Sequence, residues 1–252
     1  MGCELFEVNL DTDKLGTFSG EIERVAPPRE TAIQKARLGM KETGLLLGIA
    51  SEGSVGPDPV VPFIHSNIEH LVLVDDEKGI VVSEAHRSFE ITAATITAAP
   101  GQDLTSFLQK ADFPNQALIV RPNTQIKSNC IKGIADYERL MDAIEINSQL
   151  SPDGFVVIES DLRAMHSPSR QRNIEEVAKL LAKRIGLLCP NCQIPGWGPV
   201  GFEKGLICSE CGLENPDAIR REKLGCVQCD HIELGSVISS TLSPAQCNFC
   251  NP

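Results

Sequence analysis

A chain of 252 residues suffices for one medium domain with an appendage or for two unequal domains, and it can bury a core without cross-links. Its net charge of −11 is spread along the chain, with 19 Lys+Arg against 27 Asp+Glu before Gly186 and 4 against 7 after it. That balance and only 11 aromatic residues argue against a nucleic-acid interface, which needs a basic surface and stacking rings.

In chain order, Glu4–Leu10 reads as a short strand running into Asp11-Thr12-Asp13 and a polar loop with Gly16, Glu21 and Arg24. Pro27-Pro28 then precede a predicted helix over Arg29–Lys41, with Ala32, Ala36 and Met40 on one face and Gly44 as its stop. A strand over Leu45–Ala50 opens into a small-residue loop, Ser51–Pro57. Strands follow at Leu71–Val74, Ile80–Val82 and Phe89–Thr97, then a helix over Leu104–Lys110 and a strand at Ala117–Val120. Asp136–Ile146 reads as a helix and Phe155–Ile158 as a strand buried on both faces. A long helix ending near Ile185 carries Ile174, Val177, Ala178 and Leu181 at helical spacing. This alternation predicts an α/β body, residues 1–186, built on a mixed sheet flanked by helices.

Residues 187–252 form a second module. Eight of the ten cysteines fall into four C-x-x-C pairs: Cys189/Cys192, Cys208/Cys211, Cys226/Cys229 and Cys247/Cys250. Such a pair forms a knuckle that aims two sulfurs at one tetrahedral ion, and two knuckles complete a Cys₄ site. The intervals of 15, 14 and 17 residues match tandem zinc ribbons and predict two structural zinc ions. Iron is the rival metal, because sulfur ligands alone do not choose. A disulfide framework needs an oxidising compartment, whereas the first residues lack both an apolar signal sequence and the Ser or Thr of a myristoylation signal. No run approaches the ~20 apolar residues of a membrane span, so the expected location is the cytoplasm. The CPNC…CSECG order favours sequential pairing of the knuckles, with a cross-braced arrangement as the alternative. His231 is a substitute ligand or, with eight cysteines already present, a surface residue. Trp197 is either a partner contact or a packing residue.

Three polar clusters fall at predicted strand ends, where α/β proteins place ligands. They are Asp11 and Asp13 with Glu21 and Arg24; Ser51-Glu52-Gly53-Ser54; and Glu159 and Asp161 with Arg163, His166 and Arg170. Carboxylates so placed could hold Mg²⁺ or activate water, and arginine forks suit phosphate oxygens. Each cluster also has a structural reading as turn and helix caps.

The segments DTDKLGTFSGE, ASEGSVGP and ESDLRA, with the four knuckles ending in CNP, resemble a bacterial family known only as a domain of unknown function. That resemblance implies a shared fold and zinc module, and a segment upstream of Asp11 longer than the one here. More faintly, Glu30 to Gly56 is similar to the E-x-A-x-x-K-A…acid-Gly arrangement of inosine-triphosphate pyrophosphatases. This likeness would make Glu30 and Glu52 metal or base residues, although that family's opening phosphate-binding segment is missing. Two functions follow as expectations. One is a Mg²⁺-dependent hydrolase of a phosphorylated small molecule, using Glu52, Glu159 and Asp161 with Arg163 and Arg170. The other is a non-catalytic zinc module that docks a protein or nucleic-acid partner.

Overall fold

In a computed structural model of the chain, residues 4–10, 12–16, 22, 24–124 and 129–252 are described. They divide into two compact units, Glu4–Val74 with Ser83–Leu180, and Asp75–Val82 with Leu181–Pro252. No helix among the described residues is long and apolar enough to cross a membrane.

In the first unit, α1 (Pro28–Thr43) starts at a proline whose missing N–H costs nothing there, and stops at Gly44 in the left-handed conformation (φ 72°). Its buried face is Thr31, Ala32, Ala36 and Met40. This face lies close to β1 (Leu47–Pro57): a Cβ on Gly48 would sit 2.7 Å from Met40 Cγ. β1, β2 (His65–Asp75) and β3 (Ile80–Ser88) form one sheet in that order. Two sequence expectations change here. Glu4–Leu10 has no regular structure, and Ser51–Pro57, expected as a loop, continues strand β1. Small residues weaken a strand but allow another group to approach its backbone closely, and Gly53 is used in this way.

A second sheet holds β4 (Thr95–Ala98), β7 (Val156–Ser160), β5 (Leu118–Pro122) and β6 (Ile131–Ile134), in that order and antiparallel at every pairing. Strand alternation turns Leu118, Val120, Ile134, Val156 and Ile158 to one face. There they pack with Phe107 of α2 (Thr105–Lys110) and with Leu140 and Ile144 of α3 (Tyr137–Gln149). Asp136 caps α3 by accepting from the Arg139 N–H at 2.8 Å. α4 (Pro168–Ile185) buries Val177 and Leu181 at helical spacing.

The second unit is built on β8 (Gly198–Ile207), β9 (Glu214–Gly225) and β10 (Ile232–Val237), antiparallel in the order β10-β9-β8. The helices and strands thus mix as expected, but three small sheets replace the single mixed sheet. Every pairing in the β4-β7-β5-β6 and β10-β9-β8 sheets is antiparallel, so neither contains the parallel pair that a mixed sheet requires.

Candidate functional site

The β8–β9–β10 meander sets the positions of the cysteine knuckles. Cys189/Cys192 precedes β8, Cys208/Cys211 forms the β8–β9 turn, Cys226/Cys229 the β9–β10 turn, and Cys247/Cys250 follows β10. Because β8 and β9 run in opposite directions, the start of β8 meets the end of β9, with Gly198 opposite Gly225. The first knuckle therefore joins the third, and the second joins the fourth. This corrects the expectation of sequential pairing: antiparallel geometry interleaves the knuckles and leaves one tetrad at each end of the sheet.

Within each tetrad all four sulfurs lie within 4.8 Å of one another. Cys189 and Cys229 are 3.8 Å apart, Cys192 and Cys226 3.5 Å, Cys208 and Cys250 3.9 Å, and Cys211 and Cys247 3.7 Å. A tetrahedron with metal–sulfur bonds of ~2.3 Å has edges of ~3.8 Å. The donor set and the spacing both fit a bound metal ion. The knuckles fold as tight turns whose amides face the sulfurs, with Gln228 N–H 3.4 Å from Cys226 Sγ and Phe249 N–H 3.4 Å from Cys247 Sγ.

These donors act on the thiols. Burial pushes Cys226 up, but the Cys229 and Gln228 amides outweigh it and hold the thiol at about 7. Burial likewise raises Cys247, and the Asn215 amide with the Phe249 and Cys250 N–H groups lowers it to about 6. The Ile194 amide favours the Cys192 thiolate, yet burial and three neighbouring sulfurs push that thiol to about 12. Without metal, one thiol per tetrad readily ionises and another resists, so taking up a metal ion releases protons. His231 is not part of either tetrad. Its ring stacks on Trp197 at 5.4 Å and 28°, and its Nε2 lies 3.0 Å from Glu233. Trp197 is 9% exposed, which removes it as an open contact surface.

In the other unit, Glu52 is buried in β1 between two cations. Arg24 Nη1 lies 2.9 Å from its Oε1 and Lys35 Nζ of α1 lies 2.5 Å from its Oε2. Arg24 also donates to the Gly53 carbonyl at 3.0 Å and to Ser54 Oγ at 2.8 Å. Beneath Gly53, Arg170 and Glu69 form a buried bidentate pair at 2.6 and 2.8 Å. Asn67 donates to Glu69 at 2.9 Å and accepts from Asn173 at 2.6 Å. Arg170 also donates to the Leu162 carbonyl at 2.6 Å, so one guanidinium joins the Glu52 region to the end of β7.

There Asp161 is fully buried and accepts from the Gly133 N–H at 3.0 Å, the Arg163 N–H at 3.1 Å and Arg163 Nε at 2.9 Å. Burial pushes its carboxyl up, but the Arg163 contacts outweigh this and hold it below its usual 3.8. Glu159 is half-buried, 3.6 Å from Arg121 Nε, and Glu30 is an exposed partner of Arg29. Asp11, Glu21 and the side chain of Asp13 lie outside the described residues. The second and third sequence clusters thus meet only through Arg170 beside Gly53, and each carboxylate already has a cationic partner. Among the described residues only the cysteine tetrads gather three or more metal-ligating groups. Glu69 and Asn67 were missed in the sequence. Their signal is two polar residues, two apart and so on one face, just before the apolar run Leu71–Val74 of the same strand.

Residues 35–252 match the model of the DUF6671 family, a domain of unknown function. The chain belongs to that family. No curated protein and no solved structure matches it. The matched DUF6671 region contains both tetrads, Glu52 and the Glu69–Arg170 pair; Arg24 precedes it.

Proposed function

We propose that this chain is a two-zinc protein whose ions are structural, and that its α/β unit acts on a phosphorylated small molecule at the Glu52 cluster. Sulfur separations of 3.5–3.9 Å carry the first half. Four thiolates around each ion leave no open position for substrate, so the metal stabilises rather than catalyses. Elemental analysis of protein purified without chelator tests it: two zinc per chain are expected, and stoichiometric iron or no metal would refute it.

The second half is supported by the convergence of Arg24 and Lys35. Both are partly exposed cations, and they meet at a buried carboxylate in an otherwise acidic protein. With Glu69 and Arg170 the five charges sum to +1, which suits a phosphate. In this reading Mg²⁺ arrives on the ligand's phosphates. The partly exposed Arg24 and Lys35 turn to the phosphate and free Glu52, which takes a proton from the attacking water as the phosphorus–oxygen bond to the leaving group breaks. Asp161 and Arg170 hold the site together instead of touching the ligand, because both are buried and engaged. The test is phosphate and pyrophosphate release from nucleotides and sugar phosphates, with and without Mg²⁺. Turnover lost in Glu52→Gln supports the reading. No turnover by zinc-loaded protein would shift it to a docking role for the zinc module, whose edge strand β10 exposes Ile232, Leu234 and Val237.

A further inference from the structure

The two tetrads differ in a way that metal binding alone does not require. In the first, Cys189 is buried and the other three cysteines are half-buried. The Trp197–His231 stack is a second tie between its two knuckle segments, since Trp197 follows Cys192 by five residues and His231 follows Cys229 by two. In the second, Cys208 and Cys247 are buried but Cys211 and Cys250 are exposed. The exposed cysteines come from different knuckles. A bond between them would join the same two chain segments that the metal joins, the β8–β9 turn and the segment after β10.

We infer that the second tetrad is an oxidation site, where a hydroperoxide replaces the metal ion with a disulfide between Cys211 and Cys250 while the first tetrad keeps its ion. This rests on the zinc reading above. One exposed thiolate attacks the peroxide; the O–O bond breaks, a sulfenic acid forms and hydroxide (or alkoxide) leaves. The other exposed thiolate attacks that sulfur and expels a second hydroxide. The two sulfurs lose two electrons, the peroxide gains two, and zinc departs as Zn²⁺ from the remaining Cys208 and Cys247. The sulfurs start within 4.8 Å of each other, so the resolving thiolate lies beside the sulfur it attacks.

The full-length zinc-loaded protein is treated with hydrogen peroxide in the presence of a chromogenic zinc chelator, and its disulfides are then mapped by peptide mass spectrometry. Zinc content is measured first. Fewer than two ions at the outset would overturn the zinc reading and this inference with it. With two present, the expected result is early release of one equivalent, with a 211–250 linkage and Cys189, Cys192, Cys226 and Cys229 still reduced. Early oxidation of the first tetrad, release of both ions in one step, or a linkage within a single knuckle would overturn the inference while leaving the zinc reading intact.

Discussion

Asn215 of β9 holds the last knuckle with both ends of its side-chain amide: its Nδ2 is 3.4 Å from Cys247 Sγ, and its Oδ1 accepts the Asn248 N–H at 2.8 Å. The side chain is 2% exposed, so both contacts are sheltered from water. The amide favours the thiolate, and outer-shell partners of this type typically contribute 10–100-fold to metal affinity. Asn215→Leu, similar in size but without the donor, should weaken metal binding at this tetrad by about that factor. Competition against a chromogenic chelator reads it, and unchanged affinity would remove Asn215 from the site.

Interleaving makes the two cysteine tetrads depend on one sheet. On the zinc reading, an ion in either tetrad would tie the β8–β10 meander at one end, so releasing it should loosen all three strands. Cys208→Ser should lower metal content from two towards one and speed hydrogen exchange along β8 and β9, including at residues near the intact tetrad. The core around Leu118, Leu140 and Ile158 in the other unit should keep its protection. Exchange confined to the end nearest Cys208 would show that the centres are independent.

The buried Arg170–Glu69 pair gives a sharper test, because Arg170 is 3% exposed and Glu69 is fully buried. Removing one partner of such a pair strands a charge and typically costs about 3–5 kcal/mol, whereas replacing both with apolar side chains can be nearly neutral. Arg170→Met should therefore destabilise strongly in urea melts, and adding Glu69→Leu should recover most of the loss. Additive losses would mean that Glu69 is held mainly by Asn67.

Gly53 reports on the same contact. An added Cβ would collide with the Arg170 guanidinium and lie 2.5 Å from Glu69 Oε2. Overpacking of this kind costs about 1–3 kcal/mol. Gly53→Ala should lower the urea midpoint accordingly, and a neutral outcome would show that the pair can shift.

Much of this was legible in the sequence where the signal is local. Pro27-Pro28 and Gly44 bracket α1, Asp136 marks the start of α3, and four C-x-x-C pairs announce the tetrads. What stayed hidden depends on pairing over long distances. Nothing within a C-x-x-C pair says which other knuckle it meets, since the direction of β8 against β9 decides that. Glu52 looked like a loop residue because Ser51, Gly53 and Ser54 are poor strand formers. The reason for Gly53, Arg170, lies more than a hundred residues away. Glu69 falls just before the strand read at Leu71–Val74, and its partner Arg170 lies 101 residues further along the chain.

The acid response of the α/β unit follows from Asp161. Its carboxyl titrates below 3.8 in the folded protein because the Arg163 contacts outweigh burial, so the folded state binds this proton more weakly than the unfolded chain does. The resulting stabilisation is fully present above the unfolded value and is lost as the pH falls below 3.8 through the lowered one. Asp58 adds in the same direction: burial raises it, and the Val61 and Val60 amides, Ser66 and Arg87 lower it further. Burial lowers His70 below its usual 6.5, so urea midpoints should decline modestly as the pH falls through that value and then steeply below pH 4, where Asp161 and Asp58 titrate. Asp161→Asn should be less stable at pH 7 and show a shallower fall in acid, since the group that takes up the proton is gone. An acid slope equal to that of the unmodified protein would mean that Asp161 is not the controlling carboxylate.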